Sequence, residues 1–186
     1  MNDRFEGVTD DNWRTFVADM AELLELREGE RIFEVACGAG AFLSPLRDAG
    51  CVIGGLDASA SSIDTARRLM PGGDWTVGEA DSLDASGGWD VVVACGAFAA
   101  FPNLAYASDV LTRMLAKTDR AIAVLDVPDV DEKEAGPEVP GRLYFTRGWF
   151  LETLGALGAN AIEVVEQRIN GYPTGRHRFN VVARLK

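Results

Sequence analysis

Residues 33–46 read FEVACGAGAFLSPL, and the fold is decided by what surrounds them. A short apolar run, 31–35, ends in a turn that carries Gly38 and Gly40, and a helical stretch over 41–49 follows, closed by Gly50. Missing side chains in such a turn let the backbone approach a ligand, and the helix start beyond it presents free N–H groups. Glu34 lies inside the apolar run, four residues ahead of Gly38. A carboxylate there is costly to bury unless a cationic group partners it. A dinucleotide turn asks for a third glycine three residues after Gly40, and this chain has Leu43, whose side chain would crowd the helix against the strand. A nicotinamide-dependent oxidoreductase is therefore the weaker reading of this turn.

Working outward, helix and strand signals alternate. Thr9 with Asp10 and Asp11 marks a capped helix start, and Trp13, Phe16, Val17, Met20, Leu23 and Leu24 repeat at helical spacing. After the glycine turn comes a buried-type strand over 51–56 ending at Asp57. Ser59 caps a helix with Ile63, Ala66, Leu69 and Met70 on one face, stopped by Pro71. Strands follow at 75–77 and 89–95, Asn103 opens a helix through Leu115, and 121–127 is a further buried strand. Thr146 caps a helix ended by Gly158, and strands at 161–169 and 178–185 flank a link at 170–175. This alternation predicts an α/β fold, a mainly parallel sheet covered on both faces, with ligands at the carboxyl ends of the strands. Residues 128–141, rich in Pro, Gly and acid, read as a mobile surface loop.

The whole chain, 1–186, reads as one domain, since its length builds one core rather than two. No apolar run approaches a membrane span, and the first six residues lack the basic start and apolar stretch of a signal peptide, so a cytoplasmic protein is expected. Cys37, Cys51 and Cys95 stand apart, which fits reduced thiols and neither a disulfide framework nor a zinc site. A net charge of −11 opposes a phosphate backbone, so nucleic acid is not an expected partner, nor is a membrane.

The 33–46 segment resembles motif I of the class I S-adenosylmethionine (SAM)-dependent methyltransferases: an apolar strand, an acid, then a small residue, Cys, Gly, any residue and Gly. Three further segments are similar to the family's motifs in order and spacing: GGLDAS (54–59), VGEADSL (77–83) and WDVVVACGAF (89–98). The resemblance implies a Rossmann-like three-layer αβα sandwich, its seven-stranded sheet ordered 3-2-1-4-5-7-6 with the last strand antiparallel. It implies SAM as cofactor and S-adenosylhomocysteine (SAH) as product. Glu34, Ala36, Cys37, Gly38 and Gly40 would then form the turn around the cofactor, and Asp57, followed by Ala58, would take the ribose hydroxyls. Glu79, standing where the family has Asp, would meet the adenine amino group, the Ala80 N–H would meet the ring, and Cys95 would lie beside the cofactor.

The acceptor site is read from fewer signals. Methyl transfer from a sulfonium needs alignment for in-line attack, and a general base where the acceptor is a hydroxyl or a protonated amine. Candidates for that base are His177, the sole histidine, and Asp126 at the end of the fifth strand. Trp13, Tyr106, Tyr144, Tyr172 and Arg176 are candidates for the acceptor pocket, with 1–30 as a helical lid and 128–145 as a mobile loop. Ala94 and Cys95 supply no carboxylates for Mg²⁺, so no metal is expected. The segment 94–97 also lacks the N-P-P-Y of adenine and glutamine amino-methylating enzymes and the P-C of cytosine C5 enzymes. The sequence thus points to a small-molecule methyltransferase, monomeric or homodimeric; the alternative is a SAM- or SAH-binding module of the same fold that serves a partner without turnover.

Overall fold

A computed structural model of the chain describes residues 7–135 and 139–185. Residues 1–6 of the expected lid, 136–138 of the expected loop, and Lys186 lie outside the described residues. The elements run α1 (Asp10–Leu23), β1 (Arg31–Val35), α2 (Leu43–Asp48), β2 (Val52–Asp57), α3 (Ala60–Leu69), β3 (Asp74–Val77), β4 (Trp89–Cys95), α4 (Leu104–Lys117), β5 (Thr118–Pro128), α5 (Val130–Ala135), α6 (Arg147–Ala156), β6 (Ala161–Glu166) and β7 (Arg178–Arg184).

Seven strands form one sheet in the order β3-β2-β1-β4-β5-β7-β6. β1 pairs in parallel with β2 and β4, as do β2 with β3 and β4 with β5, whereas β7 runs antiparallel to both β5 and β6. Side chains alternate across a strand, and here both faces are apolar because both are covered. Ile32 of β1, Val91 and Val93 of β4 and Ala121 and Ala123 of β5 enter one cluster, with Phe16, Val17 and Met20 of α1, Leu43 and Leu46 of α2, and Ile63 and Ala66 of α3. Phe33 and Val35, Val92 and Ala94, and Ile122 and Val124 enter the other, with Val110, Leu111 and Met114 of α4 and Phe150 and Leu154 of α6. Glu34 falls between Phe33 and Val35, on the face that carries α1.

The side-chain caps read from sequence hold. Thr9, Ser59, Asn103 and Thr146 each accept the backbone N–H of the residue three positions on, at 3.2, 3.3, 2.9 and 3.1 Å. α2 begins at Leu43, two residues later than expected. Gly40 has φ +84°, outside the helical region. Pro45, in the first turn of α2, has no N–H to give the Ala41 carbonyl, which accepts the Trp13 indole N–H at 3.0 Å instead. The stretch read as a loop after β5 contains the short helix α5. Its two ends are tied: Val130 N–H donates to Phe145 O at 2.9 Å, and Phe145 N–H to Pro128 O at 3.0 Å.

Candidate functional site

The carboxyl ends of β1, β2 and β4 open on a cleft of about 620 Å³, lined among others by Ala36, Gly38, Asp57, Ala58, Gly78, Glu79, Ala80 and Cys95. Ala36, Gly38, Ser62 and Cys95 also line a second hollow of about 430 Å³, which Trp13, Glu34, Cys37 and Phe42 complete. The two form one bent groove along the strand ends, where a parallel sheet of this winding places its ligands.

The glycine turn bounds the groove through its backbone. Ala36 at φ +58° and Gly38 at φ +54° are left-handed, the first a conformation that costs a non-glycine residue about 1–2 kcal/mol. A Cβ built on Gly38 meets nothing within 4 Å, so this turn faces open space. Gly40, at φ +84°, is favoured by its left-handed backbone; a Cβ there would press on the Met70 methyl, the far end of a flexible side chain.

Two carboxylates face the groove in different states. Asp57, half-buried at the end of β2, accepts the Gly38 N–H at 2.7 Å and the Ser59 N–H at 2.9 Å. Both of its oxygens are thus held in place by backbone, with lone pairs left for a ligand. Glu34 is 3% exposed, and its Oε2 has no hydrogen-bond partner. Burial, and then the charge of Asp57, raise its pKa well above the ordinary value of 4.5. Burial also raises the Cys37 thiol, with Glu34 and Asp57 adding to it, so Cys37 stays protonated and unreactive. Cys95, half-buried at the end of β4 and in no disulfide, lies on the shared wall of the two hollows.

At the far end, Glu79 precedes a 3₁₀ turn, Ala80–Ser82, whose Ala80 is buried against the cleft. The Tyr106 hydroxyl accepts the Asp81 N–H at 3.2 Å, and the Tyr106 ring packs on Phe101 with centroids 5.0 Å apart. Tyr106, expected in the acceptor pocket, therefore stands beside Glu79 and Ala80. Ser62, Asp81, Phe101 and Pro102 line the same cleft and were not singled out in the sequence. The stripe of Ile63 and Ala66 marks the core face of α3 and leaves Ser62 unmarked beside it, whereas the Phe101-Pro102 pair ahead of the Asn103 cap was a readable signal.

The other sequence candidates are scattered. Asp126 is a correction: its side chain is 0% exposed, and its Oδ2 lies 3.1 Å from an Arg178 guanidinium that is itself 1% exposed. A carboxylate so enclosed by a cation cannot reach an acceptor. Asp126 has φ +58° at an irregularity in the β5–β7 register, and its N–H donates to Asn180 Oδ1 at 2.9 Å. The Tyr172 hydroxyl lies 3.5 Å from Asp126 Oδ2, and its ring is buried in the α1-side cluster, so Tyr172 is a core residue. His177 is half-buried and its Nε2 accepts from the Nε of exposed Arg176 at 2.9 Å. Tyr144 is half-buried between α5 and α6. Trp13 lines the hollow that holds Glu34. Among the described residues no three His, Cys, Asp or Glu side chains are grouped to hold a metal, and no helix is long and apolar enough to cross a membrane.

A seven-stranded sheet with this order, its last strand reversed and a glycine turn after β1, is the fold of the class I methyltransferases. The solved structures agree. An amino pentose methyltransferase of calicheamicin biosynthesis from Micromonospora echinaspora, with SAM bound, is 16% identical, with a TM-score of 0.76 over 93% of this chain and 92% of that one. A SAM-dependent methyltransferase from Clostridium acetobutylicum is 10% identical, with a TM-score of 0.74 over 96% and 92%. Magnesium protoporphyrin IX methyltransferase from Synechocystis, with SAM bound, is 15% identical, with a TM-score of 0.69 over 95% and 81%. The family described as a methyltransferase domain matches residues 33–120, from β1 into β5. No curated protein matches it in sequence.

Proposed function

We propose that the protein transfers the methyl group of SAM to a small-molecule acceptor by metal-free, in-line displacement. The observation that carries the reading is Glu34, a carboxylate buried without a full set of partners on the wall of the groove. Such a group is costly unless a cation meets it, and SAM offers a protonated amino group and a sulfonium. The other residues fit the same molecule. Ala36 to Gly40 leave room for its amino-acid portion, Asp57 has lone pairs for a ribose diol, and Glu79 with the Ala80 N–H suits an adenine edge.

Bound there, SAM supplies an activated methyl carbon. The chain's part is to orient cofactor and acceptor and to keep water out. Trp13 covers the Glu34 hollow from α1, and Cys95 contributes a small side chain to the wall where β4 ends. The ion pair of Asp126 with Arg178 fixes the end of β5 and the start of β7 to each other, and so braces the wall on the acceptor side. A small acceptor is supported by the lack of any domain inserted between the described elements and by the acidic charge of the chain. It also accords with the amino pentose and the magnesium porphyrin named for two structural relatives.

Two measurements test this. Calorimetry with SAM, SAH and NAD is expected to give binding of the first two alone. Incubation with methyl-labelled SAM and a panel of extracted metabolites is expected to label a small product. Binding without any labelled product would leave a cofactor-holding module, and binding of NAD alone would overturn the cofactor assignment.

A further inference from the structure

The start of the Ala80–Ser82 turn has N–H groups that the turn itself does not use. One of them, on Asp81, is already taken by the Tyr106 hydroxyl at 3.2 Å. Tyr106 belongs to the first turn of α4, where its own N–H is held by the Asn103 cap at 2.9 Å, and its ring is wedged on Phe101, itself 8% exposed. The hydroxyl is thus delivered from a rigid mount and reaches a backbone that otherwise belongs to an exposed turn. Burial keeps the phenol pKa above its ordinary value, and the Asp81 and Glu79 charges add to this, so the hydroxyl keeps its proton.

We propose that Tyr106 is a positioning residue for the cofactor's base: by occupying the Asp81 N–H it leaves the Ala80 N–H as the single backbone donor for the ring and holds Glu79 at the exocyclic group. The inference rests on the SAM reading of the groove. Its consequence is selectivity. Adenine presents a ring acceptor beside an amino donor, which matches the Ala80 N–H beside the Glu79 carboxylate. Hypoxanthine presents the reverse, a ring N–H beside a carbonyl, and meets a donor with a donor and an acceptor with an acceptor. Without the hydroxyl, the Asp81 N–H becomes a second donor and the turn is freed to shift, so a carbonyl finds a partner and the discrimination relaxes.

The test compares SAH with S-inosylhomocysteine, its 6-oxo analogue, by calorimetry on the full chain and on Tyr106→Phe. The wild-type protein is expected to favour SAH by at least tenfold. In Tyr106→Phe the affinity for SAH is expected to fall about threefold to tenfold, with the preference over the inosyl analogue shrinking by a similar factor. The ratio of the two affinities does not depend on the fraction of folded protein, so partial misfolding does not imitate the effect. The ring that packs on Phe101 is kept, and the melting temperature is expected to be unchanged. An equal loss for both ligands, or no loss, would overturn the role of Tyr106 while leaving the SAM reading intact. A wild-type protein that binds neither SAM nor SAH would overturn the SAM reading, and this inference with it.

Discussion

Replacing Glu34 by glutamine is expected to abolish the pH dependence of SAM affinity, and the size of the effect follows from where Glu34 sits. Its carboxyl is 3% exposed with Oε2 unpartnered, and burial, assisted by the Asp57 charge, holds its pKa well above 4.5 in the free protein. Pairing with the cation of bound SAM would restore the ionised form, so binding expels a proton throughout the interval between the two values. Each pH unit within that interval is then worth up to a tenfold gain in affinity, about 1.4 kcal/mol. The test spans about pH 5 to about pH 7, where an α-amino group stays charged. Calorimetry in two buffers of different ionisation enthalpy counts the protons released, approaching one for the wild type and none that depends on this position for Glu34→Gln. Stability of the free protein moves in the opposite sense. A native carboxyl with a raised pKa holds its proton longer than the unfolded chain, so its contribution is fully present below pH 4.5 and is lost as the pH climbs toward the raised value. Equal pH slopes of affinity in the two proteins would refute the placement of the cofactor's cation against Glu34.

Asp57→Ala is expected to weaken SAM binding by about 1.5–3 kcal/mol, through loss of a charge-assisted contact and of the anchor for the Gly38 N–H; an unchanged dissociation constant would remove Asp57 from the site. Ala36→Gly should relieve the left-handed backbone at φ +58° and raise the melting temperature of the free protein, by about 1 kcal/mol or roughly 2–4 °C, and a lower melting temperature would deny that strain. Arg178→Ala leaves Asp126 buried opposite no guanidinium and is expected to cost about 3–5 kcal/mol in chemical denaturation, whereas a loss under about 1 kcal/mol would mean that the pair is not enclosed as described.

The strands and most helices were legible because their signals are local. Continuous apolar runs mark β4 and β5, and single capping residues mark α1, α3, α4 and α6. The residues that line the groove along β1, β2 and β3 were legible for the same reason, since the turn after β1, the acid that ends β2 and the acid two residues after β3 are short linear motifs. The errors fall where a partner distant in sequence decides the outcome. Asp126 passes for a free carboxylate until Arg178, 52 residues on, encloses it. Tyr106 looks like one more aromatic near the pocket until the Asp81 N–H, 25 residues back, fixes it beside the Ala80–Ser82 turn. Such long-range meetings are encoded by no short motif.

The tying of Phe145 to both Pro128 and Val130 by two backbone hydrogen bonds bears on how this fold could change its clientele. Between those residues the polypeptide leaves and re-enters the body at one spot, so closing a longer excursion there costs little, about 0.6 kcal/mol for each doubling of its length. New chain could be spliced in at that gate without rewiring the sheet, and the catalytic floor would acquire a different roof.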